Sequence, residues 1–300
     1  MSSPATSVIH MASAAAAAML LLAGMAFQLG SRDDDLPAAL NAAGEQNAPI
    51  VEVPAAQPET SAEPGLDPAP LVPARPMLAV ILDDIGPDRA VAETLIASGV
   101  PVTLSILPFA EAAPDIARAA TQAGLEVFVH MPMEPVGLAD PGPNALLRAH
   151  GAEEIARRVR WALSRVPGAT GLNNHMGSAM TADRAAMARV FSALQSSGLV
   201  FVDSLTHPGS VAAGMAAQSG LTALRRDVFL DHVRSPEAID AAIEEALQRA
   251  RQSGSAIAIG HPHAMTITAL EGLAARAEAA GVELVTVSRL AEARTRMQAS

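Results

Sequence analysis

Cysteine and tyrosine are absent from this chain, and tryptophan occurs once. Without cysteine there is no disulfide, no thiolate zinc site and no cysteine nucleophile, so any bound metal must rest on imidazole and carboxylate ligands. Six phenylalanines complete the aromatic set. That is too few for a sugar platform of stacked rings, or for the base-stacking surfaces that hold single-stranded nucleic acid. Positive charge is also short: 20 basic against 31 acidic residues leave a net charge of −11. With no basic cluster, a nucleic-acid partner is not expected. What the chain does have is aliphatic. Half of its 300 residues are hydrophobic, many of them alanine, enough for a sizeable core with methionine as filler.

Three regions follow from composition. In residues 1–30, the uncharged run Met11–Leu29 is about one bilayer span long. Arg32 and then Asp33-Asp34-Asp35 follow it, and no Lys or Arg occurs in the first ten residues. This reads as a signal anchor with its C-terminal side translocated; a signal peptide cleaved near Ala23-Gly24-Met25-Ala26 is the competing reading. Residues 31–75 are rich in Pro, Ala, Glu and Asp without periodicity, a composition that buries too little to offset its ordering entropy, and they read as a tether. The folded domain is expected over 76–300.

Within that domain, apolar runs of strand length alternate with amphipathic helices. Strands are expected at 77–82, 101–106, 124–130, 169–173, 198–203, 221–225, 255–260 and 282–287. Helices are expected at 87–98, 111–122, 152–165, 182–196, 235–252, 266–279 and 288–297. Gly99, Gly124, Gly198, Gly254 and Gly281 stand where helices should end. Strict alternation predicts an α/β fold of parallel strands joined by right-handed crossovers. A closed (β/α) barrel fits the number of units best, and a doubly wound open sheet also satisfies the periodicity.

The apolar runs share one feature: they end in residues that bind metal or carry protons. Leu78–Leu82 runs into Asp83-Asp84, and Leu125–Val129 into His130-Met131-Pro132-Met133-Glu134. Ala169–Leu172 runs into Asn173-Asn174-His175, Leu199–Val202 into Asp203-Ser204, and Ala256–Gly260 into His261-Pro262-His263. Active sites of α/β folds collect at the C-terminal ends of their strands, so these ends predict one metal-centred pocket. Adjacent carboxylates repel unless a cation intervenes. A divalent ion on one member of Asp83-Asp84 would leave the other free as a base. His130 and His175 read as ligands, and either His261 or His263 as a general acid beside metal-activated water. Pro132 is expected to stop a regular inner strand, and Glu134 to reach the pocket. Asn173 and Asn174 read as amides that staple loops. Asp203 reads either as a group that orients a histidine ligand or as a helix cap. Arg225-Arg226-Asp227 could carry charge in the site or form an ordinary ion pair, and His150 and His232 read as surface residues. Glu134, Asn174, Asp203 and His263 are thus counted as substrate-binding or supporting groups.

Together these segments resemble the divergent polysaccharide deacetylase family, over Leu78 to Arg294. The resemblance rests on Ile81-Leu82-Asp83-Asp84-Ile85-Gly86, His130-Met131-Pro132-Met133-Glu134, Asn173-Asn174-His175-Met176-Gly177-Ser178, Phe201-Val202-Asp203-Ser204 and Ile259-Gly260-His261-Pro262. It implies an irregular seven-stranded, TIM-barrel-like (β/α) barrel, a divalent metal with zinc the expected ion, and a place in the cell envelope. It also implies Asp83 as base, Asp84 and His130 as ligands and His261 as general acid. A second histidine four residues after the first is usual in polysaccharide deacetylases; Glu134 stands there instead, so the third ligand is Glu134 or, preferably, His175.

The resemblance therefore implies a metal-dependent hydrolase that removes N-acetyl groups from an envelope polysaccharide or peptidoglycan-type glycan. It would be periplasmic, anchored in the inner membrane or secreted across it. The altered ligand position and the scarcity of aromatics leave a second reading, a catalytically inactive envelope glycan-binding or scaffold protein on the same barrel.

Overall fold

The structure, a computed structural model, describes residues 75–299. The signal reading of residues 1–30 and the tether reading up to residue 74 lie outside the described residues. No helix among the described residues is long and apolar enough to cross a membrane.

Strand and helix alternate as β1 (Met77–Ile85), α1 (Arg89–Ser98), β2 (Thr103–Ile106), α2 (Ala113–Gln122), β3 (Val127–Met133), α3 (Ala152–Arg165), β4 (Gly171–Met176), α4 (Arg184–Leu194), β5 (Val200–Asp203), α5 (Ala212–Gln218), β6 (Ala223–Arg225), β7 (Val228–Phe229), α6 (Pro236–Ser253), β8 (Ser255–Gly260), α7 (Ala264–Glu271), α8 (Leu273–Ala279), β9 (Glu283–Leu284) and α9 (Val287–Ala299). The strands pair in parallel in the order β6-β5-β4-β3-β2-β1-β8-β7, with β9 on β1. The sheet curls into the expected irregular α/β barrel, and among the described residues β6 and β7 do not pair to close it. Eight strands lie along this path rather than seven, because Val228 and Phe229 of β7 pair with Ala258 and Ile259 of β8. On β1, β8 takes one edge from Met77 to Leu82. The other edge is shared: β9 pairs at Met77 and Leu78, and β2 joins only from Ile81 onward.

Alternation along each strand divides two cores, as the pleat requires. Leu78, Val80 and Leu82 of β1 and Ala256 and Ala258 of β8 face the helices. Met77, Ala79 and Ile81 of β1, Phe128 of β3, Val200 and Val202 of β5, and Ile257 and Ile259 of β8 fill the inside of the curl. Phe128 is fully buried there, a burial that contributes about 1.5–3 kcal/mol. Its space depends on Gly171, where a Cβ would stand 2.2 Å from Phe128 Cζ.

At the lower end of the curl, Val287, Leu290 and Ala291 of α9 complete the inner core. Glu126, just before β3, holds this helix. Its carboxylate accepts from the Val287 and Ser288 backbone N–H groups at 2.7 and 3.0 Å and from the Thr103 and Thr170 hydroxyls at 2.6 and 3.0 Å. An anion at the start of a helix satisfies free N–H groups and opposes the macrodipole. The upper, C-terminal end of the strands is left for the site.

Candidate metal centre

Inner-face positions change character at the upper strand ends. Residues 77, 79 and 81 lead to Asp83, Phe128 to His130, and Gly171 to Asn173 and His175. Val202 leads to Ser204, and Ile259 to His261. Asp83, Asp84, His130, His175, Ser204 and His261 line a cleft of about 440 Å3, with Met176, Leu205, Arg226 and Phe229 among its other walls. Asp83 and Asp84 should face opposite ways on a regular strand. However, the register of β1 against β2 shifts between Leu82 and Ile85, and Asp84 takes a φ of 56°, a left-handed conformation that Asp tolerates better than most residues. This bulge brings both carboxylates to the same cleft.

Three ligand atoms converge there. Asp84 Oδ1 lies 2.9 Å from His175 Nδ1 and 3.2 Å from His130 Nε2, and the two nitrogens are 3.2 Å apart. Despite these neighbours, Asp84 Oδ1 is buried without a hydrogen-bond partner. An orphaned carboxylate oxygen facing two imidazole nitrogens is a costly arrangement unless a cation lies among them. One carboxylate and two histidines form a donor set suited to zinc and similar divalent ions, and three protein ligands leave a coordination position open. The residues present therefore fit the ion that the sequence leads one to expect.

The surrounding charges are strongly coupled. Burial works against a charged Asp84, but His130 and His175 outweigh it and hold the carboxyl far below its usual range. Burial likewise opposes a charged His130, yet Asp83 and Asp84 hold its pKa above the ordinary value. Asp83 is pushed up by burial, against the opposing influence of His130 and a hydrogen bond from Asn173. On β8's side, His261 Nδ1 meets Asp231 Oδ1 at 3.0 Å, and its ring Nε2 lies 3.9 Å from Asp84 Oδ2. Asp231 is buried and its other oxygen accepts from the His261 backbone N–H and the Thr266 hydroxyl. Burial disfavours the His261 imidazolium, but the bond to Asp231 and the charge of Asp83 outweigh it, so its pKa is raised.

Several sequence expectations need correction. Glu134 does not line the cleft: its carboxylate accepts from the Arg148 backbone N–H at 2.6 Å and pairs with the Arg148 guanidinium at 2.8 Å. Pro132 does not stop β3, which pairs with β4 out to Met133; only its own N–H is missing, and its carbonyl accepts from Leu146 N. Asp203 shares the outer-facing parity of Phe201. It closes the turn after β5, accepting from Leu205 N–H at 2.8 Å and Ser210 Oγ at 2.7 Å. His263 stands at the N-cap position of α7, without a side-chain capping hydrogen bond, and does not line the cleft. It forms a second potential ligand group with Asp231 and His261, but the Asp231 oxygens are already hydrogen-bonded. His232 is exposed, as the surface reading has it, and also lines the cleft. Asn174 also lines it, and staples loops through Met176 O and Ser204 N.

Sequence reasoning missed Asp231 altogether. Its signal was present in miniature, since the short apolar run Val228-Phe229-Leu230 ends in Asp231 as the longer runs end in theirs. Arg226 was left open between two readings. The structure places it on the cleft wall, with Nε and Nη2 donating to the Ser204 and Leu205 carbonyls and its guanidinium 4.8 Å from the Phe229 ring centroid.

Comparison with known proteins agrees with this architecture. The profile of the family described as divergent polysaccharide deacetylase matches residues 80–291. YibQ, an uncharacterised protein of Escherichia coli K12, is 36% identical over 194 residues, which are 65% of this chain and 61% of that protein. The match thus spans less than two thirds of the E. coli relative's length. An uncharacterised Haemophilus influenzae Rd protein is 36% identical over 198 residues, 66% of this chain and 71% of that one. Among solved structures, an uncharacterised protein from Agrobacterium tumefaciens C58 superposes with a TM-score of 0.69 at 25% identity, covering 72% of this chain and 89% of that one.

Proposed function

Since the chain belongs to the divergent polysaccharide deacetylase family, we propose that it is a metal-dependent hydrolase that removes N-acetyl groups from an envelope polysaccharide of the peptidoglycan type. The observation that carries this reading is the flanking of the Asp84–His130–His175 triangle by two proton-handling groups, Asp83 and His261, in one cleft. A divalent cation, zinc by the donor set, would be held by those three residues and would supply Lewis-acid polarisation of the acetyl carbonyl.

The chain's own residues move the protons. Asp83 Oδ1 is occupied by the Asn173 amide at 2.8 Å, so the other oxygen, Oδ2, takes the proton of the attacking water. Its raised pKa suits a base that must hold that proton transiently. His261 keeps its Nε2 proton for the leaving nitrogen while Asp231 occupies Nδ1. Phe229 packs edge-on against the His261 ring, with centroids 5.4 Å apart, and restricts its rotation. The balance is that of amide hydrolysis: the C–N bond breaks, the water's oxygen joins the acetyl carbon, and a proton reaches the nitrogen, giving acetate and a free amine.

In the same reading the domain works outside the cytoplasm, delivered to or across the inner membrane by the segment containing Met11–Leu29. A reporter fused to the C-terminus that is active only after export tests this; activity confined to the cytoplasm would reject it.

The direct test is acetate release by the full-length, zinc-loaded protein from N-acetylated chito-oligosaccharides and peptidoglycan fragments. Release is expected, and Asp83→Asn should lose about 10²–10⁴-fold of it with zinc stoichiometry unchanged. Saturable glycan binding with no acetate from any fragment would overturn the hydrolase and leave a binding protein.

A further inference from the structure

We propose that Asn173 is the positioning residue of this centre: its side-chain amide fixes His130 in the tautomer that turns an unprotonated Nε2 towards Asp84. The inference rests on the metal reading of the cleft and goes beyond it by assigning the device that prepares the ligand.

Asn173 is completely buried on β4 and lies directly across from His130 in the β3–β4 ladder. A primary amide can accept two hydrogen bonds and donate two, and here all four are used. Nδ2 donates to Asp83 Oδ1 at 2.8 Å and to Ser204 Oγ at 3.0 Å. Oδ1 accepts from Ser105 Oγ and faces His130 Nδ1 at 3.1 Å.

With Asp83 ionised, as a base must be before it takes a proton, the orientation of the amide is dictated, because a carboxylate accepts hydrogen bonds and cannot donate. Asp83 must therefore face the NH2 end, and His130 is left with the oxygen. A neutral imidazole has one proton for two acceptors here, Asn173 Oδ1 at Nδ1 and Asp84 Oδ1 at Nε2, and in the proposed arrangement the amide, fixed on three other partners, keeps it on Nδ1. Its lone pair then sits on Nε2, 3.2 Å from both Asp84 Oδ1 and His175 Nδ1. The opposite tautomer would set two lone pairs against each other at Nδ1 and point a proton into the ligand triangle.

The arrangement is built into the sheet. Ser105 stands on β2, His130 on β3 and Asn173 on β4, all with inner-face parity, and Ser204 follows β5. Ser204 is itself held by Asn174 Oδ1 at its N–H, at 2.9 Å, and by Arg226 Nε at its carbonyl, at 2.8 Å. The hub therefore has little freedom to rotate. The same amide that serves the ligand also engages Asp83 Oδ1, so the base and the ligand are set by one side chain.

The test is made on full-length protein carrying 15N-histidine, free of zinc, at alkaline pH where the rings are neutral. Long-range 1H–15N spectra, with His130 assigned by its absence in His130→Gln, should show a protonated Nδ1 and a bare Nε2. In Asn173→Ala the His130 signals should move towards the Nε2–H form, and the zinc dissociation constant, read by chelator competition, should rise about 10–100-fold. A wild-type His130 protonated on Nε2 overturns the proposal, as does an Asn173→Ala variant with the tautomer and zinc affinity unchanged. If Asn173→Ala does not fold, the wild-type spectrum alone decides. If the wild-type protein binds no zinc, the metal reading fails, while the zinc-free spectrum still judges Asn173.

Discussion

A histidine donates a proton usefully only if something keeps the proton on it at the working pH, and Asp231 has that position here. It is buried, bonded to both the ring and the backbone of His261, and outweighs the burial that would strip the imidazole of charge. The sign follows directly. A raised pKa keeps His261 protonated to higher pH, so an activity that needs its acid form persists upward and falls as pH rises through that pKa. Asp231→Asn removes the charge, so the alkaline limb of kcat/KM should move to lower pH, with zinc content unchanged; an unmoved limb would take His261 out of the acid's role. This pair shows what was legible at single residues. Asp84, His130 and His175 stood out because each ends a long apolar run. Asp231 ends a strand of two residues, too short to register as a run. Asn173 was visible but read as a loop staple, because its hydrogen-bond partners come from four other strand ends far away in sequence.

Elements were more readable than residues where burial dictated their pattern. The parallel strands are apolar on both faces and so announce themselves, and the positive φ at Gly99 and Gly254 confirms where α1 and α6 end. The helix α5 escaped notice because Ala212-Ala213-Gly214-Met215-Ala216-Ala217-Gln218 has no polar face to mark it. The helix expected over 266–279 divides at Gly272 into α7 and α8. A subtler element-level constraint is the seat of Phe128 against β4. Gly171 falls within the strand expected over 169–173 and begins β4 in the structure, and its missing Cβ is the space that the Phe128 ring occupies. Gly171→Ala should overpack the inner core and cost about 1–3 kcal/mol. At about 2–4 °C per kcal/mol for a domain of this size, the melting temperature should fall by roughly 2–12 °C. Adding Phe128→Leu should recover part of the loss, and full stability in the single variant would show that the ring moves aside freely.

At the scale of the whole fold, the curled sheet is filled at its lower end by α9 and, among the described residues, left unpaired between β6 and β7, while its upper end gathers charge. Asp84 comes from β1, His130 from β3 and His175 from β4, with β2 between the first two. An ion held by all three would link strand ends across the sheet and would be lost on unfolding, because the ligands are scattered over more than ninety residues of chain. Binding to the native state alone stabilises by about 2.7 kcal/mol when free zinc is a hundredfold above its dissociation constant. For a folded unit of this size that corresponds to roughly 5–11 °C in melting temperature. We therefore expect the melting temperature to rise by that amount between chelated and zinc-supplied protein. His175→Ala should abolish the rise. Glu134→Ala should keep it, because that carboxylate is committed to Arg148 and lies off the cleft. The comparison separates two accounts of the cluster. A metal centre responds to zinc and to His175 but not to Glu134. Three groups that merely balance one another's charge give no zinc-dependent rise in any variant, and that result would remove the metal from the proposed chemistry while leaving the barrel intact.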